Sequence, residues 1–434
     1  MSNTLVAANL ERARMLAQQG QLDQAEQLCR AVLESSPGEA EALNFIAMRS
    51  LVHGQFATAI ELLQRAAAAQ PDDVATLKNL GVICINARQF DLAQTTLERA
   101  IRLAPEQFDL QLHLAGLWEQ QGQLKKALAF YFGAITAAQS QGYWLSESST
   151  PPALRKTVMH AMDFVNRQRH EIFSMVLQPL RQRHGAEAMR RIETCLATYL
   201  GDLPTSYADA RQRPKFLYFP GLPTQAYFAR ELFPWQDELE RNTDAIRAEL
   251  HGLLQQQNLM QPFLGMQTPA EGDAYLRGTQ GAPAWDAFFF YRHGERNEAN
   301  CARAPVTAAV IDALPIVRIR EHAPEICFSV LTPGTHILPH HGVTNTRLVT
   351  HLPLIVPEDC AIRVGGEEHA WQEGRCITFD DTFAHEAWNR SRSTRAVLIL
   401  DSWNPYLTAV ERIAVTDLVG AIGDFNREFS LRGV

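Results

Sequence analysis

The 434-residue chain has no CxxC pair, and its seven cysteines are odd in number and scattered from Cys29 to Cys376. A finger-type zinc site is therefore unsupported, and reduced thiols in a cytoplasmic protein are expected. No apolar run reaches the roughly 18 residues that suggest a membrane span. The opening stretch, MSNTLVAANLERARMLAQQG, lacks a basic segment followed by an apolar one, so no secretory leader is expected. No basic patch is interleaved with aromatics, and the net charge is −8. Neither nucleic acid nor a membrane surface is an expected partner. What remains is a soluble globular composition, 46% hydrophobic and 20% charged, in a chain long enough for two or three domains.

The N-terminal third repeats itself. Pro37, Pro71 and Pro105 are 34 residues apart, and so are Ala25, Ala59, Ala93 and Ala127. Ala13, Ala47, Gly81 and Ala115 keep the same step, as do Gly20, Gly54 and Gly122, with Arg88 in the glycine slot of the third unit. Small residues in two columns let paired helices approach closely, while glycine and proline stop them. Large residues fill between: Ile46, Leu80 and Leu114 in one column, Leu63, Leu97 and Tyr131 in another. The pattern resembles the tetratricopeptide repeat, a helix–turn–helix unit of this length. About four units over residues 1–140 predict an all-α solenoid whose groove could bind a peptide, a protein partner or a second copy of the chain. The first unit is degenerate, with Arg12 in the leucine column.

Residues 141–209 read as a helical connector with a packed apolar face, and its His160, His170 and His184 as surface histidines. From residue 210 to 434 the texture changes. One helix is predicted over Pro234–Gln255. Beyond it, short β-rich runs lie between turn signals: 287–292, 327–332, 347–356, 361–365, 376–380 and 395–403. Some alternate and some are continuously apolar, as in a barrel wall packed against a helix. The expected whole is an α+β multidomain chain in which the solenoid precedes a sandwich or jelly roll.

Six of the 14 histidines fall between His336 and His385, which marks one stretch for chemistry. Non-haem iron is commonly held by two histidines and a carboxylate, the first pair written His-x-Asp or His-x-Glu. The candidate first ligand is His340, but Gly342 occupies the carboxylate slot; the second candidate is His385, 45 residues on. His340 precedes one predicted strand and His385 follows another, so a barrel could bring both to its mouth.

The pieces FPGLP (219–223), FPW (233–235), YRHGERNEANC (291–301), PHHGVTNTRL, FDDTFAHEAWN and the later Arg395 resemble the aspartyl/asparaginyl β-hydroxylase family over about residues 210–410. That resemblance implies a double-stranded β-helix of the jelly-roll or cupin kind and an oxygenase using iron(II), 2-oxoglutarate and molecular oxygen. It implies His340 and His385 as metal ligands and catalytic centre. The family lacks the acidic ligand, which suits Gly342. It implies Arg395 and Ser329 for the distal carboxylate of 2-oxoglutarate, and His351 for its other end, with Arg347 in the same motif. Some members carry a further arginine where this chain has Val349, a departure that bears on substrate more than on chemistry. Asp380 and Asp381 read as residues that orient His385 or cap its turn. Trp285, Arg292 and Arg296 are candidates for the substrate side. The implied substrate is an aspartyl or asparaginyl residue of a peptide or protein. Alternatives are a free or carrier-bound amino acid, a lipid acyl chain, or a non-catalytic repeat scaffold.

Overall fold

The computed structural model describes residues 3–256, 258–264, 275–279 and 283–429. Its contacts divide the chain into two compact units, one of residues 1–169 with 425–434 and one of residues 170–424.

The first unit is built from antiparallel helix pairs: α1 (Asn3–Gln18) with α2 (Leu22–Ser35), α3 (Ala40–Val52) with α4 (Phe56–Ala69), α5 (Val74–Asn86) with α6 (Phe90–Leu103), and α7 (Phe108–Gln120) with α8 (Leu124–Ser140). Each pair also packs on the next, as the 34-residue period requires. Ala25, Ala59, Ala93 and Ala127 are fully buried where the helices cross. A β-carbon on Gly81 would lie 2.6 Å from Leu97 Cγ, so that column admits nothing larger there. The first helix of each pair ends in a left-handed residue: Gly20, Gly54 and Gly122 have φ of 78°, 72° and 73°. The following amide bonds back five residues, as Gln21 N–H does to the Leu16 carbonyl. Arg88 makes the same turn at φ 57°, so the sequence slot keeps its conformation without glycine.

A helix α9 (Arg155–Leu200) occupies most of the expected connector, broken at Gly185, whose φ of 81° is not helical. The expected helix over 234–255 is two, α10 (Gln236–Arg241) and α11 (Thr243–Leu254). The chain turns at Asn242, whose side-chain amide donates to the Glu238 carbonyl at 2.8 Å.

The second unit carries two antiparallel sheets. The larger has the order β1 (Tyr227–Phe228), β11 (Ile377–Phe379), β8 (Arg347–Ile355), β13 (Arg395–Trp403), β6 (Ile326–Leu331), β4 (Trp285–Arg292), β2 (Gln261–Pro262), with β5 (Glu295–Arg296) on β4. The smaller has the order β10 (Glu367–Ala370), β9 (Cys360–Val364), β12 (His385–Asn389), β7 (Thr335–His340), β3 (Leu276–Gly278). One face of the larger sheet packs Phe288, Phe328, Leu352 and Leu398 against Ile246 and Leu250 of α11 and Ile311 of a helix α13 (Pro305–Asp312), which follows a short α12 (Glu298–Arg303). Its other face meets the smaller sheet, where Leu331, Val349, Phe379 and Val397 pack with Ile337, Ile362 and Ala387. Both faces are buried, which is why these strands read as continuous apolar runs. Among the described residues no helix is long and apolar enough to cross a membrane. All seven cysteines are free.

Candidate active site

The space between the two sheets holds a cavity of about 190 Å³. His340 is the last residue of β7 and His385 the first of β12. The two strands are antiparallel neighbours, and these residues stand opposite each other in register. Their ring centroids are 4.1 Å apart. Each ring turns Nδ1 toward a carbonyl two residues back, Leu338 O at 2.8 Å and Phe383 O at 3.1 Å. A nitrogen facing a carbonyl carries the proton, so Nε2 is the bare nitrogen of each ring. Burial, then the neighbouring histidine, pushes His340 down to about 4, and burial pushes His385 to the same value. Both are neutral near pH 7, the form that binds a metal.

A side chain at position 342 could start only if Asp381 or the backbone moved. A β-carbon there would sit 2.1 Å from Asp381 Cγ and 2.2 Å from its Oδ2. The Gly342 amide donates to the Asp381 carbonyl at 2.6 Å, which locks the two backbones together. Asp381 is buried, its Oδ1 has no partner among the described residues, and burial raises its pKa against the opposing pull of Arg347 and His340. Asp380 turns away: it accepts from the Thr382 amide at 2.9 Å and from Gln212 Nε2 at 2.7 Å, and so caps the turn before β12.

Across the cavity, the larger sheet presents Ser329 on β6, His351 on β8 and Arg395 on β13. Arg395 is 1% exposed. Among the described residues its Nη1 reaches only Ser329, at 3.4 Å to both O and Oγ, and its guanidinium lies 4.3 Å from the Trp371 ring centre. Its Nε has no partner among the described residues, and burial pushes its pKa down to about 9. An unpaired buried cation is costly, and an anion entering the cavity would relieve that cost. His351 is buried with no partner for Nδ1 among the described residues, and burial, then Arg395, holds its pKa well below the usual histidine range. Phe263, Trp285, Ile337, Val349, Ile362 and Phe379 supply apolar wall.

The cavity thus gathers His340, His385, Ser329, His351, Arg395, Arg347 and Trp285 from the sequence-derived set. Arg347 is already engaged, with Nη1 2.5 Å from Asp401 Oδ1 and Nη2 3.7 Å from Asp381 Oδ2. Arg292 and Arg296 do not line it. Arg292 lies over Phe289 at 4.5 Å, and Arg296 pairs with Asp312 at 2.8 Å and with Glu298. Sequence reasoning missed Phe263, which stacks on Trp285 with centroids 4.0 Å apart, and Trp371 beneath Arg395. Each is an isolated aromatic outside the apolar runs, with no local signal. Among the described residues no group of three or more His, Cys, Asp or Glu is placed to hold a metal. A larger hollow of about 560 Å³ is lined by the two arms of α9 from His170 onward and by Asp202 just beyond it. Within it His170 pairs with Asp202 and Arg181 with Glu193.

Residues 240–405 match a family described as aspartyl/asparaginyl beta-hydroxylase. Residues 51–107, and 6–40 with 85–142, match tetratricopeptide repeat families. Aspartate beta-hydroxylase domain-containing protein 2 of Mus musculus is 33% identical over 254 residues, 57% of this chain and 70% of that protein. Aspartyl/asparaginyl beta-hydroxylase of Homo sapiens is 26% identical over 426 residues, covering 94% of this chain. Ornithine lipid ester-linked acyl 2-hydroxylase of Rhizobium tropici is 36% identical over 176 residues, 40% of this chain. The chain spans only 54% and 58% of the lengths of these last two.

Proposed function

The chain belongs to the aspartyl/asparaginyl β-hydroxylase family, and from that premise we propose that it is a cytoplasmic 2-oxoglutarate- and iron(II)-dependent oxygenase. Its proposed substrate is the β-carbon of an aspartyl or asparaginyl residue in a peptide or protein, and its repeats aid binding of that polypeptide. The observation that carries this reading is the pairing of two chemistries across one cavity. Two neutral imidazoles face each other on one sheet, and on the other waits a buried guanidinium with no carboxylate partner among the described residues.

The residues present fit the implied groups. His340 and His385 would hold iron through Nε2. The closed position at Gly342 leaves the remaining sites to non-protein ligands. Bound there with 2-oxoglutarate and oxygen, iron(II) supplies oxidative decarboxylation to succinate and carbon dioxide and the insertion of one oxygen atom into a C–H bond. Arg395 and Ser329 would bind the distal carboxylate of 2-oxoglutarate, the planar guanidinium matching it in charge and shape. His351, kept neutral, can donate or accept at the near end without adding charge. Asp381 offers a buried acceptor beside His340 and orients the loop through Gly342. The apolar wall excludes water from the reacting carbon.

A second reading keeps the chemistry and changes the substrate to a lipid acyl chain or a free or carrier-bound amino acid. Val349 favours it, since it places a valine in the cavity wall where some family members carry a cation. One assay separates the readings: purified full chain with iron(II), ascorbate and 2-oxoglutarate, following succinate released with peptide and with acyl substrates. Succinate coupled to peptide supports the first, and succinate coupled only to acyl chains the second. Absence of metal binding, cosubstrate binding and turnover together would sink both.

A further inference from the structure

Trp285 stands between the two chemical ends of the cavity. It is buried on β4, stacked face to face on Phe263 with an interplanar angle of 8°, and its ring centre is 6.2 Å from that of His340. Its Nε1 is 3.0 Å from Ser329 Oγ. An indole N–H can only donate, so Ser329 Oγ must accept. The same oxygen faces Arg395 Nη1 at 3.4 Å, and guanidinium nitrogens also only donate. With both lone-pair directions addressed by donors, the hydroxyl hydrogen of Ser329 must point elsewhere, and among the described residues nothing accepts it.

We propose that Trp285 is a positioning residue for the cosubstrate: by donating to Ser329 Oγ it commits the serine hydroxyl to donate into the cavity, toward a carboxylate held by Arg395. The inference rests on the 2-oxoglutarate reading above and reassigns Trp285 from the substrate side. It accounts for a polar indole edge in an otherwise apolar wall. A buried indole N–H finds a partner as a rule, and here the partner belongs to the anion anchor. Without the indole donor the hydroxyl can rotate its hydrogen away from the cavity. A carboxylate beside Arg395 would then meet a serine lone pair instead of a donor.

The test is calorimetric titration of 2-oxoglutarate into the full chain loaded with manganese(II), without turnover. Trp285→Phe keeps the stack on Phe263 and deletes the donor, and Ser329→Ala deletes the acceptor. Each is expected to raise the cosubstrate Kd about tenfold, the order of one lost charge-assisted hydrogen bond. Manganese(II) affinity is expected to stay unchanged, which a merely structural role would not predict. The double variant is expected to bind no more weakly than Ser329→Ala alone, because the indole acts through the hydroxyl. Wild-type affinity in Trp285→Phe, or effects that multiply in the double variant, would overturn the inference. Wild-type affinity in Ser329→Ala overturns it independently, should Trp285→Phe fail to fold. No binding to the wild-type protein defeats the cosubstrate reading itself and this inference with it.

Discussion

The carboxylate of Asp381 occupies the place where a β-carbon on residue 342 would have to lie, 2.1 Å from Asp381 Cγ. The missing acid of the His-x-Gly sequence is therefore a packing fact as well as a chemical one. Gly342→Asp should not create a third metal ligand. It forces either Asp381 or the 340–342 backbone aside, an overpacking typically costing about 1–3 kcal/mol, and sets two carboxylates together in a buried site. A lower unfolding temperature and weaker cobalt(II) binding are expected in titration. Pairing it with Asp381→Gly, which opens the space, should recover stability. A stable Gly342→Asp single variant with stronger metal binding would contradict the geometry.

Arg395 should be worth more to ligand binding than to the fold. Replacing a buried guanidinium that has no carboxylate partner among the described residues with an apolar side chain of similar length removes a desolvated charge, and even paired buried ions can be replaced by apolar groups with a gain of about 1–4 kcal/mol. Arg395→Met is thus expected to unfold at the same or a higher temperature than the parent without ligand. Adding 2-oxoglutarate with a divalent metal should raise the parent's unfolding temperature and leave that of the variant unchanged. If the variant retains the ligand-induced shift, Arg395 is not the anion anchor.

Asp380 gives the site's turn a pH dependence. Burial, partly opposed by the Thr382 and Gln212 hydrogen bonds, raises its pKa to about 6 from an ordinary 3.8. The folded value lies above the unfolded one, so this group's contribution to stability is complete below about pH 4 and is lost as pH rises through 6. Asp380→Asn should remove that decline and leave the variant more stable than the parent at pH 7, by roughly 1–3 kcal/mol. The Gln212 amide can flip to accept from the new amide, because its Oε1 has no partner among the described residues. Denaturant unfolding at pH 5 and pH 7 checks both the sign and the window.

What the sequence made legible follows burial. The solenoid could be read because each unit repeats the same close contacts, so four columns keep one period. The strands of the larger sheet could be read within a few residues because both their faces are apolar: β13 spans Arg395–Trp403 as expected, and β8 spans Arg347–Ile355. The two strands that carry the histidines were not read as strands. THILPH contains a proline and two histidines, and HEAWN opens on two polar residues. Their sheet has one face on the core and one on a charged network, in which Glu386 takes His336 at 2.7 Å and Arg363 at 2.8 Å. Alternation over five or six residues with such side chains resembles a loop. The pairing of Arg347 with Asp401, 54 residues apart, and the approach of Trp371 to Arg395 are set by strand register, which no local pattern encodes.

Register also has an owner that the sequence hid. Asn389, the fully buried last residue of β12, donates from Nδ2 to the carbonyls of Leu331 at 3.1 Å, Thr332 at 3.2 Å and Ser393 at 2.8 Å. Its Oδ1 accepts from the Ser391 amide at 3.1 Å and from Cys360 Sγ at 3.2 Å. These bonds tie the end of β6, the start of β9 and the turn that leads into Arg395. Leu331 is the residue paired with Arg395 across β6 and β13. Removing the amide leaves several buried groups unsatisfied, each costing about 1–3 kcal/mol. Asn389→Ala should therefore destabilise by several kcal/mol, while Asn389→Asp, which keeps the acceptor but not the donors, should be nearly as damaging. In whatever fraction stays folded, metal affinity is expected to hold, because His340 and His385 lie at the other end of their strands. Affinity for 2-oxoglutarate is expected to fall as the Arg395 turn loosens. Equal losses of metal and cosubstrate binding would mean that Asn389 supports the whole sandwich rather than the anion end of the cavity.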